Sequence, residues 1–554
     1  MSQIHFSEFS GIIPRTHKAK LQGSFAQVAH DIDLKRGTLR PIRNPLFVAD
    51  VASTTKTIYQ WGCCWLEFDK CVEVTDYSQE CHRIYTTGDL PYPAFTAINS
   101  DCSIGCGGKD WTRVGVYRPN RPPTTVGGIT TVTSRDGETT SYIYTFVNCY
   151  CEEGAPSPPT PDLYRNDGVT AITVSGFETP PPEYNITKIN IYRLVSGHMF
   201  QKAQTQEHLS EFFFVGQIDL ATGTFVDKVK NLDIGHAINT QYAGVPPSSL
   251  RGMMRVNGSN TLAGFTGNKM YFSDNNMPSR WNDYNEIALD DNILMIRPLG
   301  QNIAVMTTGN TYIVKGMGDC KSSTSCRDVQ KSETPFPAIE CCSHRSSIET
   351  PVGVVFVSSK GLCLMTEGNP NPHVITESWY TDDEWQQLRP ETMRLGYDDG
   401  QLFCTSDVIS FRLFLDSTTY KNDFMKNYLL TTISDKPQFY FLGQTGELFF
   451  LENSKIWRWG ASNSLRKFTW VSKQFDTREY KSFSCMQADC DNTCEISLFT
   501  DKTMVYNRVV LDDKGYRIPF YGRKHRHAVK IEGKSEVWGL KLATSYWDLN
   551  NVGD

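Results

Sequence analysis

The feature that most constrains this chain is a long succession of short β-prone runs, each broken by a Gly-, Asn- or Asp-containing turn. LAGFTGNKMYFSD, GVVFVSSKGLCLMTEG, RLGYDDGQLFCTS and FYFLGQTGELFFLENSKIWRWG each read as strands joined by tight turns. ILMIRPLGQNIAVMTTGNTYIVKG and EVWGLKLATSYWDL have the same character. Side chains on a strand alternate between its faces. Hairpins in such a series bury one another's apolar faces most simply in an all-β architecture, and hairpin following hairpin suggests a β-propeller. The repeat is one of structure, with no WD series and no fixed period. At 554 residues the chain is too long for one ordinary core, so several domains are expected.

Residues 1–45 read as an N-terminal arm interrupted by Pro14, Pro41 and Pro45, with basic residues scattered through LKRGTLRPIR. Within it, FAQVAHDIDL spaces its apolar residues at near-helical intervals, but over two to three turns only, which is marginal for an isolated helix. The arm either straps its own body or reaches a neighbouring subunit. Residues 46–122 supply strands such as TIYQWGCCWLEF and KCVEV, the first strands of the propeller. Residues 123–243 carry strand signals at short intervals and read as a sandwich of the immunoglobulin or fibronectin type III sort, inserted before the remainder of the propeller at 244–554. On its strands, Tyr142, Tyr144 and Phe146 share one face, as do Ile189, Ile191 and Arg193. GAPSPPTP and ETPPPEYN are assigned to loops or edges, because proline cannot donate to a central ladder. One short helix is expected where Thr381 can cap, Asp382, Asp383 and Glu384 meet the positive helix end, and Pro390 sets a limit.

Composition narrows the function classes. The formal net charge is −6, which is not the basic balance of a protein whose main task is gripping nucleic acid. The N-terminus lacks the apolar core of a signal peptide, and no run approaches ~18 apolar residues, so the expectation is a protein made in a cytoplasm with no spanning helix. The 17 cysteines are then expected to be mostly buried, reduced thiols. Cys63–Cys64 and Cys341–Cys342, as strand neighbours, should point to opposite faces. Cys102 with Cys106, and Cys320 with Cys326, sit in loops and are the best candidates for a disulfide or a metal site, though no pair has zinc-finger spacing.

The search for catalytic chemistry returns no phosphate loop, no HExxH, no GxSxG elbow and no EF-hand loop, and no catalytic, cofactor-binding or metal residue is assigned. His525-Arg526-His527, with Arg523 and Lys524, is the most concentrated basic cluster; it reads as a surface strand, with contact to a phosphate or an acidic partner as the sharper alternative. The acidic pairs Asp290-Asp291, Asp382-Asp383, Asp398-Asp399 and Asp512-Asp513 read as turn chemistry. Trp61, Trp65, Trp457, Trp459 and Trp470 could stack on sugars, but Trp457 and Trp459 share a face and fit packing between blades better.

In their order along the chain, KINIYRLVSG, FFFVGQID, TFVDK, VPPSSLRGM, LAGFTGNKMYFSDNNMPSRWN, IAVMTTGNTYIVKG, CCSHRSSIETPVGVVFVSSKGL, EWQQLRPETM and RIPFYGRKHRHAVKIEG resemble the tail nozzle, or tail tubular, proteins of short-tailed phages. The likeness is strongest over roughly residues 125–550, and the cysteine richness departs from it. The resemblance implies a non-enzymatic virion protein of the viral tail, assembled in the host cytoplasm, without stable membrane association before infection. It implies a cyclic homo-oligomer, commonly of six subunits, stacked below head-tail adaptor proteins, with tail fibres as further candidate partners. Double-stranded DNA would be retained by this ring and then ejected through it, without sequence-specific binding. The alternative from another class is a glycan-binding or glycan-cleaving propeller adhesin. Its sequence mark would be three arginines converging on an acidic sugar, and no such trio is identifiable.

Overall fold

A computed structural model describes residues 3–77, 82–99, 101–129, 137–195, 211–282, 284–316, 328–339, 345–415 and 429–550. Cys320, Cys326, Cys341 and Cys342 lie outside them. The fold is all-β, built from many small sheets and one of ten strands, with pairing that is mostly antiparallel. Among the described residues no helix is long and apolar enough to cross a membrane.

The chain divides into two compact units, residues 1–71, 304–313 and 330–554 in one, and 72–303 and 314–329 in the other. In the second, Glu73–Asp76, Arg83–Thr87, Ala94–Ala97 and Thr112–Arg113 form a four-stranded meander, and Arg251–Arg255, Leu262–Thr266, Lys269–Phe272 and Glu286–Ala288 form another. Tyr85, Phe95, Leu250, Met253, Leu262 and Trp281 share one buried cluster there.

The intervening stretch carries two three-stranded sheets. One joins Thr124–Val126, Ile172–Ser175 and Thr224–Asp227; the other joins Tyr142–Asn148, Ile186–Val195 and Glu211–Asp219. They close on a common core of Tyr142, Tyr144, Phe146, Ile172, Val174, Ile189 and Ile191. The period-2 expectation holds in register as well: Tyr142 lies opposite Arg193, Tyr144 opposite Ile191 and Phe146 opposite Ile189. The proline-rich segment runs along the Tyr142–Asn148 strand. It donates from Gly154, Ser157 and Thr160 to the Phe146, Tyr144 and Tyr142 carbonyls, so its prolines fall where no donor is required.

The first unit contains the meander Ser347–Thr350, Gly353–Ser358, Gly361–Thr366 and Asn369–Val374, and a second of Arg394–Asp398, Gln401–Thr405, Ser410–Phe414 and Leu430–Thr432. A third, Phe439–Leu442, Leu448–Glu452 and Lys455–Arg458, takes its fourth strand from Leu46–Asp50, far back in the sequence. Between the first two meanders lies the expected helix, Asp382–Gln387. Thr381 Oγ1 accepts from the Glu384 amide and the Glu384 carboxylate accepts from the Thr381 amide, a complete capping box.

Residues 3–45 pack on their own unit. FAQVAHDIDL contributes the strand Ala26–His30, antiparallel to Phe468–Ser472 and parallel to Leu430–Thr432, in place of the helical turns its spacing suggested. Pairing on both edges outweighs the weak preference of so short a segment. Gln3–Phe6 pairs with Val537–Ala543. Ile4, Phe6 and Phe9 enter the core beside Trp470, with Phe6 and Phe9 edge-on to the indole at 5.4 and 5.0 Å, and Trp470 Nε1 donates to the Ser10 carbonyl.

The C-terminal stretch also departs from expectation. TSYWDL is not the second strand of a hairpin: Val537–Ala543 is followed by the helix Tyr546–Asn550, whose Asp548 amide donates to Ser545 Oγ. The serine offers a capping oxygen where a strand partner was anticipated.

Candidate functional site

The densest ionic constellation lies inside the two-sheet region of the second unit. Arg165, Arg193 and Asp227 are each 0% exposed. Asp227 comes from the strand Thr224–Asp227, Arg193 from Ile186–Val195 and Arg165 from Leu163–Asn166. Asp227 Oδ2 accepts from Arg193 at 2.6 Å, from Arg165 at 3.2 Å and from the Tyr142 hydroxyl at 2.7 Å, while its Oδ1 accepts from the Val229 amide. Burial and the adjacent Asp227 carboxylate push the Tyr142 hydroxyl upward in pKa, which keeps it a donor. Arg193 also donates to Asn231 and to the Val229 carbonyl; Arg165 reaches Asp167 at 2.9 Å and Glu138 at 3.0 Å. Two guanidinium groups thus meet three carboxylates in a closed set, which is the condition for holding buried charge. With no solvent-exposed guanidinium, the set is built for rigidity and is not open to an acidic sugar.

A second buried set lies in the other unit. Asp31, in a left-handed conformation (φ 51°), receives Arg466 at 3.3 Å and the Ser434 amide, and Arg466 also holds Asp435 at 2.7 Å. Arg412 donates to the Ile32 carbonyl and to Gln401 Oε1. Arg412 and Arg466 both lie over the Trp459 ring, at 5.9 and 5.7 Å. Trp457 and Trp459 pack against a core of Phe403, Tyr440, Leu448 and Phe450, Trp65 packs against Phe441 and Phe449, and Trp470 is fully buried.

The sequence-derived candidates fall apart in space. His525 Nδ1 donates to the Thr477 carbonyl, and its ring lies tilted against Tyr480. His527 is buried against Phe483 and Tyr521, and burial lowers its pKa. The two imidazoles therefore have separate environments and do not form one ligand pair. Asp399 and Gly400, both at positive φ, make the two-residue turn between Arg394–Asp398 and Gln401–Thr405. Asp512 accepts from the Lys514 amide and the Tyr516 hydroxyl, and Asp382 and Asp383 fill the first turn of the helix.

The cysteines correct three expectations. Cys106 is disulfide-bonded to Cys149, 43 residues away with Cα atoms 6.2 Å apart, and not to Cys102. Asn185 Nδ2 donates to the Cys106 carbonyl and so positions that loop beside the end of the Tyr142–Asn148 strand. Cys64, Cys71 and Cys102 are also disulfide-bonded, so the thiols are not uniformly reduced. Cys63 sits in the turn between Thr57–Trp61 and Cys64–Phe68, which brings its sulfur to 4.0 Å from that of Cys64 instead of onto the opposite face. Burial pushes the Cys363 thiol up to about 12 and raises that of Cys494, whereas Cys63 and Cys151 are exposed. Because the thiolate is the reactive form, iodoacetamide at pH 8 is expected to modify Cys63 and Cys151 in the native protein, and Cys363 and Cys494 only after denaturation. Peptide mass spectrometry reads the difference, and equal labelling of Cys363 before and after unfolding would contradict it.

No family model matches the chain, and no curated protein matches it. Among solved structures it is similar to the AfRom2 CNH domain, with 8% identity and a TM-score of 0.26, covering 58% of this chain and 90% of that one. It is also similar to the extracellular domain of the putative one component system BT4673 from B. thetaiotaomicron, with 10% identity and a TM-score of 0.26, covering 71% of this chain and 47% of that one.

Proposed function

We propose that the chain is a non-catalytic structural subunit of a phage tail, a β-propeller with an inserted immunoglobulin- or fibronectin-like sandwich. Copies of it would form a ring-shaped nozzle below the adaptor ring, through which the genome is retained and then ejected. The observation that carries the propeller reading is the pairing of Leu46–Asp50 with Lys455–Arg458. An early strand that completes a late four-stranded meander is the device by which a propeller joins its ends and leaves few free edges. The other four-stranded meanders supply the repeated unit. The place in a phage tail rests on the sequence resemblance. Stiffness suits a conduit, and the two closed ionic sets favour it. The glycan-binding or glycan-cleaving alternative draws no support from Arg165 and Arg193, which are consumed internally.

Negative-stain imaging of the purified protein and immunogold labelling of particles test the assignment. The expected result is closed rings with a central channel, and label at the distal tail. A protein that stays monomeric at high concentration and is absent from mature tails would refute it.

A further inference from the structure

A cleft of about 190 Å³ opens in the unit that contains the termini. Its apolar lining comes from Val471 on Phe468–Ser472, Phe499 on Cys494–Thr500 and Ala528 on Lys524–Gly533. Cations approach from three parts of the chain. Lys18 comes from the N-terminal strap, Lys502 from the turn before Thr503–Val510, and Arg526 and Lys530 from the long strand Lys524–Gly533. Asp501 and Lys502 both adopt positive φ (46° and 71°), the backbone form of a two-residue hairpin turn.

Four cations against the single carboxylate of Asp501 leave a surplus of positive charge. Lys530 is shared with Glu532 at 2.9 Å, and Arg526 approaches Asp476 only at 3.9 Å. Lys18 and Lys502 enter no side-chain ion pair with any described residue. An apolar lining lowers the local dielectric and strengthens the pull of such a set on an anion. Cations arriving from several directions suit a group with acceptor oxygens on several sides. A phosphate monoester carries about −1.5 to −2 charge and three peripheral oxygens, where a carboxylate offers one charge in one plane.

We propose that this cleft is a phosphate-binding site, with Lys18 and Lys502 closing on the phosphate oxygens and Arg526 and Lys530 completing the positive rim. The site does not depend on the conduit assignment, and each can fail without the other. The phosphate is free or the monoester of a mononucleotide, and these sources share one chemistry; a nucleic-acid backbone diester, with one charge and two free oxygens, is the contrasting probe.

Isothermal titration calorimetry on the full chain distinguishes them, with inorganic phosphate, adenosine monophosphate and a 12-nucleotide single strand as probes at matched ionic strength. Saturable binding of inorganic phosphate is expected, weakened at least tenfold in the Lys18→Glu/Lys502→Glu double variant and unchanged in Lys514→Glu, a control on an exposed turn. Equal affinity for inorganic phosphate and adenosine monophosphate identifies free phosphate as the ligand; tighter binding of the nucleotide identifies that source, and tighter binding of the strand would overturn a site built for a dianion. If charge reversal impairs folding, judged by thermal unfolding, Lys18→Gln with Lys502→Gln serves in its place. Absence of saturable phosphate binding at millimolar concentration, or unaltered affinity in the folded double variant, would overturn the proposal.

Discussion

Asp227→Ala is expected to destabilise the protein by about 3–5 kcal/mol. The reason is asymmetry. The wild-type carboxylate sits on two fully buried guanidinium groups and a buried tyrosine hydroxyl. Alanine removes the anion and leaves Arg193 with the Asn231 and Val229 oxygens, but with no charge to answer its own. Arg165 still holds Asp167 and Glu138, so the loss concentrates on Arg193. Urea unfolding followed by near-ultraviolet circular dichroism measures the cost, with Tyr142 and Tyr144 reporting the local core. The companion variant Arg193→Met removes the charge and keeps the length, and it is expected to cost less than Asp227→Ala. A loss below ~1 kcal/mol for Asp227→Ala would show that the cluster hydrates on mutation and is not a rigid element.

The second large effect is predicted in the N-terminal strap. Phe6→Ala is expected to cost about 3–5 kcal/mol, since it empties a core position beside Trp470 and Phe475. Deleting residues 1–11 should do more than add to that loss. It strips Gln3–Phe6 from Val537–Ala543 and uncovers the strand edge from Leu540 to Ala543. An uncovered edge is a template for intermolecular pairing. Light scattering during refolding should therefore show aggregation of the truncated protein under conditions where Phe6→Ala stays soluble. A truncated chain that refolds without scattering would show that the strap is dispensable.

What the sequence made legible was local. The helix at Asp382–Gln387 was readable because its cap, its acidic first turn and its proline limit all lie within ten residues. The shared face of Tyr142, Tyr144 and Phe146 was readable because strand alternation needs no partner to be known. What escaped were features made by residues far apart. Arg165 and Asp227 are 62 positions apart and meet only once the sheets close. A usable hint was present in Arg193, which alternation placed on the same buried face as Ile189 and Ile191. The disulfide from Cys106 skipped the nearby Cys102 for a sulfur 43 residues on, because Asn185 anchors its loop toward Cys149. FAQVAHDIDL became a strand because both of its edges found partners more than 400 residues away. The phosphate cleft was half legible: its Arg526 lay in the basic cluster singled out at 523–527, but Lys18 and Lys502 are brought there by the fold alone.

The central placement of Ala26–His30 and the pairing of Gln3–Phe6 with Val537–Ala543 have a consequence for biosynthesis. Gln3–Phe6 leaves the ribosome with no template until Val537–Ala543 has followed it. At an elongation rate of about 5–20 residues per second, that wait is on the order of half a minute to two minutes. During this interval the nascent strap is a naked strand in search of a mate. Completion of this unit is thereby tied to translation through residue 543, so chains that stop early carry an open seam for quality control to find.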